Sequence, residues 1–222
     1  MAACGFYGHF SCTWPETRGV SMCDFQYLNR DNFWALIEGA SNQESSQASR
    51  LYWLQEQLSR RTVDEIIDFH ALLIDMRNQA HTWDLYGVFC NVFDIGSLDS
   101  FEYFKLWLIG LGRSVYEGAV LNPDGLIEQR QMRLALEAED SSVASRDELP
   151  QFERLAYVAF KPYVDISGKS VESLYAEAEA RNGSSIISTL IGEEWDIDDC
   201  VQVQTRLPRS YSFMERYRSG LR

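Results

Sequence analysis

Between Asp99 and Ala119 the chain reads DSFEYFKLWLIGLGRSVYEGA. At about 100° per residue, Phe101, Phe104, Leu108, Leu111 and Val115 recur in steps of three and four, the spacing of one helical face. Tyr103, Leu106, Trp107 and Ile109 widen that face until the helix is apolar almost all round. Glu102, Lys105 and Arg113 are left on one narrow strip. Such a helix must be covered by other segments. Asp99, three residues ahead of Glu102, predicts a capping box at its start. The segment is too short and too often interrupted by charge to span a membrane. The expected fold is mainly α, an irregular multi-helix bundle around a central buried helix at about 99–119.

The flanking segments supply the covering. A helix is predicted over Arg30–Gly39 from Phe33, Trp34 and Ile37, then a Ser- and Gln-rich stretch at Asn42–Ser49, a linker or a frayed start to the next helix. Leu51, Trp53, Leu54 and Leu58 give a second helix ending near Arg60–Arg61. Thr62 and Glu65 form a capping box for a third. On its wheel Asp64, Asp68, Asp75, Gln79 and Thr82 face solvent, and Ile66, Ile67, Phe69, Leu73, Ile74, Met76 and Ala80 face the core. Trp83–Phe93 is apolar throughout and reads as a buried helix, with a strand as the minor alternative. After the turn Asn122–Gly125, helices are expected over Leu126–Glu139, over Leu149–Tyr163 with Pro162 kinking or stopping it, and from Ser170 to an Asn182-Gly183 stop. Val201–Thr205 suits a short strand or a last helical turn.

This pattern divides the chain into a poorly ordered extension at 1–21, with Met22 a plausible true start, a helical core at 22–139 and a smaller helical C-terminal portion at 148–222 packed on the core. With 222 residues and 45% hydrophobic content, a substantial core can be buried. The net charge of −13 argues against nucleic acid, whose phosphates are neutralised by Lys and Arg, and suits a basic protein partner. Five cysteines (Cys4, Cys12, Cys23, Cys90, Cys200), odd in number and without a CxxC pair, form neither a disulfide framework nor a zinc site. No secretory signal and no membrane span is read, so a reducing cytoplasm is the expected compartment.

FWALIE at Phe33–Glu38, WDLYG at Trp83–Gly87 and FEYFKLWLIGLGRSVYE at Phe101–Glu117 stand in an order that resembles the bacterial domain-of-unknown-function family 4240, over about residues 31–126. Leu174–Gly183 and Gly192–Trp195 resemble the tail of its longer members. The resemblance implies a helical cytoplasmic domain and no established activity. The chain departs from the family's glycine-, cysteine- and aspartate-rich turn before the central helix. Here that turn reads DIGSLDS, and only Gly96, Ser97 and Asp99 keep its character.

Two groups of polar residues invite a functional reading. His70, Arg77 and His81 fall on the apolar side of the third helix, and Asp84 joins them if the helix continues. Buried cations are costly unless paired. Either they face a pocket, a histidine acting as general base and Arg77 holding an anion, or they form a structural ion pair with a carboxylate of another helix. His70 and His81 are three turns apart, too far to share a metal ion. On the central helix Glu102 and Lys105, three apart, can pair with each other. With Arg113 they read as a solvated strip or as one that meets Arg77 and Asp84 across a groove, with Glu102 and Arg113 the expected counterparts. The second group is the acidic run Glu193, Glu194, Asp196, Asp198 and Asp199 around Trp195. It lacks the spacing of a calcium loop and reads as a solvated loop or as a contact for a basic partner, with Trp195 as anchor.

No nucleophile elbow, phosphate loop or HExxH motif is present, and neither cofactor nor metal is called for. The expected function is that of an acidic interaction protein that binds or neutralises a partner such as a cognate toxin. The alternative is a small-molecule-binding or hydrolytic enzyme with a pocket of His70, Arg77, His81, Asp84, Glu102 and Arg113. Convergence of these residues on an open cavity would favour the enzyme.

Overall fold

Several helix starts follow a polar residue whose side chain receives a first-turn amide. The structure, a computed structural model, describes residues 27–139, 141, 145, 147–183 and 185–220. The extension at 1–21, the start at Met22 and three of the cysteines lie outside these residues, as does most of the stretch 140–146. The helices are α1 (Arg30–Gln43), α2 (Gln47–Leu58), α3 (Val63–Gln79), α4 (Trp83–Phe93), α5 (Leu98–Gly110), α6 (Arg113–Leu121), α7 (Arg130–Glu139), α8 (Phe160–Ser167), α9 (Val171–Asn182), α10 (Cys200–Arg206) and α11 (Pro208–Arg218). Short 3-10 helices cover Pro123–Glu128 and Glu153–Tyr157. Asn29 and Thr62 form full capping boxes with Asn32 and Glu65, while Ser46 and Thr82 cap α2 and α4 through their hydroxyls. The fold is a mainly α multi-helix bundle. Among the described residues, extended pairing is limited to one parallel bridge between Thr82 and Ile191.

α5 is the central element, with Phe101, Phe104, Leu106, Leu108 and Ile109 buried. It meets Phe89 and Phe93 of α4 in a run of rings, Phe89 and Phe104 lying 5.0 Å apart. Phe33 of α1 packs on Phe69 of α3, and Trp34 on Tyr116, whose hydroxyl donates to the Met76 carbonyl at 2.6 Å. α9 lies along α3, and α11 packs on α4 and on the 3-10 turn at 123–128.

The long helix expected over 99–119 is two helices. Gly112 has φ of +101°, a conformation that L side chains rarely adopt, and the chain turns there before α6. Gly110 faces Phe152 so closely that a Cβ would lie 2.7 Å from its ring. The cap of α5 is Ser97, whose hydroxyl receives the Ser100 amide, and not Asp99. Pro162 does not stop a helix but sits in the first turn of α8, where its missing N–H has no intrahelical acceptor to lose. Residues 126–139 divide into the 3-10 turn and α7, on which Leu134 faces solvent. Val201–Thr205 is helical, within α10.

Candidate functional site

α3 carries His70 and Arg77 seven residues apart, so both project from one face, and that face is buried. His81 follows in the turn that ends α3, and α5 brings Glu102 and Lys105 against it. The Glu102 carboxylate lies at the centre. It accepts from Arg77 Nη2 at 2.8 Å on one oxygen and from Lys105 Nζ at 2.6 Å on the other. Lys105 Nζ also lies 2.8 Å from His81 Nδ1 and 5.3 Å from the centre of the Phe101 ring. Lys105 is 1% exposed and His81 2%, so neither is open to a substrate from solvent.

The electrostatics follow from that enclosure. Burial pushes the Lys105 ammonium down to about 8, against the pull of Glu102. His81 is lowered by burial and by the Lys105 charge beside it, which outweigh Glu102. A charged Lys105 has only donors, so Nδ1 of His81 must be its acceptor and the ring proton sits on Nε2. The Ser188 backbone favours the protonated ring, although Nε2 makes no hydrogen bond. Burial would raise the Glu102 carboxyl, but Lys105 and Arg77 hold it below the usual carboxylate range.

His70 stands apart from this network. Its ring meets Tyr175 and Phe160 edge-on at 5.0 and 5.7 Å, and neither nitrogen has a hydrogen-bond partner. Burial first, and the Arg77 charge second, push it from 6.5 to about 4. The folded state therefore keeps His70 neutral while the unfolded chain takes up a proton below 6.5. Stability should fall as pH drops from 6.5 to about 4, by about 3 kcal/mol at 1.36 kcal/mol per tenfold change. Urea denaturation at stepped pH will show this slope. A His70→Leu variant should flatten it over that window, and an unchanged slope would assign the acid sensitivity elsewhere.

Two further expected members do not join. Asp84 is exposed at the start of α4, where it receives the Trp195 indole N–H at 3.1 Å and faces Arg206 at 3.7 Å. Arg113 lies beyond the Gly112 turn and pairs with Asp31 at 2.8 Å and Glu117 at 2.9 Å. Asp68, expected in solvent, is buried under the Leu28 amide and Arg181. Lys105, expected with Glu102 on a solvated strip, is buried instead, because that strip faces His81 and the end of α3.

The acidic run also resolves residue by residue. Trp195 is 5% exposed and lies in a niche left by Gly87, with Arg206 over its face at 5.6 Å, so it anchors the loop to its own chain rather than to a partner. Glu193 pairs with Arg206 at 2.7 Å, and Asp199 caps α10 by receiving the Val201 amide. Glu194, Asp196 and Asp198 are exposed. Upstream, residues 185–191 run over the end of α3, where Asn78 donates to Ser185 and the Ile191 amide donates to the His81 carbonyl at 2.8 Å.

A family model described as protein of unknown function (DUF4240) matches residues 28–165, more than half of the chain. The chain belongs to the DUF4240 family. No curated protein and no solved structure matches it. The DUF4240 match contains Arg77, His81, Glu102 and Lys105, whereas the segment lying over His81 and the acidic run come after it. Among the described residues of this DUF4240 chain, no group of three His, Cys, Asp or Glu side chains is placed to hold a metal ion, and no helix is long and apolar enough to cross a membrane.

Proposed function

We propose that this chain is a non-catalytic binding protein that engages a basic protein partner, of the kind a cognate toxin would be, through the exposed carboxylates of the 193–199 loop. The observation that carries this reading is the contrast between the two polar groups. Arg77, His81 and Lys105 are buried, and with the half-buried Glu102 they spend their hydrogen bonds largely on one another. Glu194, Asp196 and Asp198 stay outside on a loop whose position Trp195 fixes. A pinned loop presents its charge with little ordering to do on binding, and like-signed rim charges speed capture of an opposite partner. The hydrolytic reading rested on the enclosed group and loses its geometric support.

The test is a pull-down with the intact protein from its native host, at low and high salt, beside a Glu194→Lys/Asp198→Lys variant. Wild type should retain a basic protein in stoichiometric amount at low salt. The variant should bind it roughly tenfold more weakly without losing thermal stability. Equal retention by the variant, or a thermal shift with a metabolite panel and no stoichiometric protein, would overturn the proposal.

A further inference from the structure

α7 and α11 flank the 3-10 turn at 123–128, and a shallow cleft of about 460 Å³ opens between them. Its lining brings Arg133 of α7 together with Arg209 and Arg216 of α11, beside Ile127 and Phe213, with Glu128 the lone carboxylate. In a chain of net charge −13 this is a local reversal of sign. The arginines are not loosely gathered. Glu128 receives Arg209 Nη1 on its carboxylate at 3.1 Å and Arg133 Nη2 on its backbone carbonyl at 3.4 Å. Arg216 donates its Nε to the Ser212 carbonyl at 3.2 Å. Among the described residues, neither Arg133 nor Arg216 has a carboxylate partner.

The two walls are also held in register. Asp124, in the turn beneath, receives the Arg209 and Ser210 amides at 2.9 and 2.8 Å, and Ser210 is fully buried. The cleft is thus built on helices and not on a loop. One wall comes from the matched family domain and the other from the segment after it.

We propose that this cleft is a binding site for a small phosphorylated organic ligand. Three guanidinium charges against one carboxylate leave two positive charges, which a phosphate monoester dianion matches. The planar guanidinium fork suits phosphate oxygens in pairs, so Arg133 and Arg216 take the phosphate. Ile127 and Phe213 provide an apolar wall for the organic part, and the volume is in the range of small-ligand sites. The residues are separate from the 193–199 loop, so this proposal and the protein-binding reading can fail independently.

Titration calorimetry of the full chain at low salt, with ADP and with inorganic pyrophosphate as probes, tests it. Saturable binding of ADP is expected, weakened at least tenfold in Arg133→Gln/Arg216→Gln and unchanged in Arg154→Gln, a surface control outside the cleft. Circular dichroism and the melting temperature of the double variant should match wild type, because Arg133 and Arg216 are exposed. The proposal falls if neither probe binds, if the double variant binds as wild type does, or if the control weakens equally. It also falls if polyglutamate binds at the same arginines more tightly than either probe, since the cleft would then suit an acidic polypeptide.

Discussion

Replacing Glu102 by alanine is expected to destabilise the fold by about 3–5 kcal/mol, the range for removing one partner of a buried charge cluster. The carboxylate is the shared acceptor of Arg77 and Lys105, so its loss strands two cations in an enclosed site. Adding Lys105→Met should recover part of the loss, because it removes one stranded charge and fills its space with an apolar chain. The Glu102→Ala variant should also regain stability as the pH rises. Even with Glu102 holding it up, the folded state releases the Lys105 proton near pH 8, and loss of that carboxylate lowers it further. The unfolded chain keeps it to about 10.5, so rising pH relieves the folded state first. Urea denaturation of the single and double variants reads all three effects. A loss below about 1 kcal/mol would mean that Glu102 is not the neutralising group.

The second large effect concerns Trp195. Truncation to alanine should cost about 3–5 kcal/mol, as for other buried aromatic side chains. Gly87→Ala should cost about 1–3 kcal/mol by a different route, because the added methyl would overlap the indole, 2.6 Å from its Cη2. The two changes act on one contact. In the Trp195→Ala background Gly87→Ala should therefore cost almost nothing, and a double-mutant cycle should return a coupling of about the whole Gly87→Ala cost. Additive losses would show that the indole does not occupy the Gly87 niche.

Much of the helical layout was legible because the signals were local. The Thr62–Glu65 box, the Asn182-Gly183 stop and the apolar run at 83–93 depend on residues within one or two turns. The departures come from long-range competition. Asp99 and Glu102 have capping-box spacing, but a carboxylate facing two enclosed cations gains more than one receiving a terminal amide, so Glu102 turned inward and Ser97 took the cap. Gly112 ended the central helix although the apolar periodicity runs through it, since backbone conformation is invisible to a helical wheel. Arg77 meeting a carboxylate on another helix was one of the two readings open from its burial, and Glu102 was named as a counterpart. Arg113 was named with it, and the Gly112 turn carried it away. Asp68 and Trp195 illustrate the same limit. A polar side chain on a solvent-facing arc and an aromatic in an acidic run found partners more than a hundred residues away in sequence, Arg181 and Asp84.

The bridge between Thr82 and Ile191 bears on how freely the acidic run can change. There the Ile191 amide and carbonyl bond to the His81 carbonyl and the Trp83 amide, and at α11 the Asp124 carboxylate takes two main-chain amides. These attachments use peptide groups that every residue except proline possesses. They are consequently indifferent to most side chains in the segment they hold, Trp195 excepted. The exposed Glu194 and Asp198 can be rewritten in charge or size while the backbone beneath keeps its address.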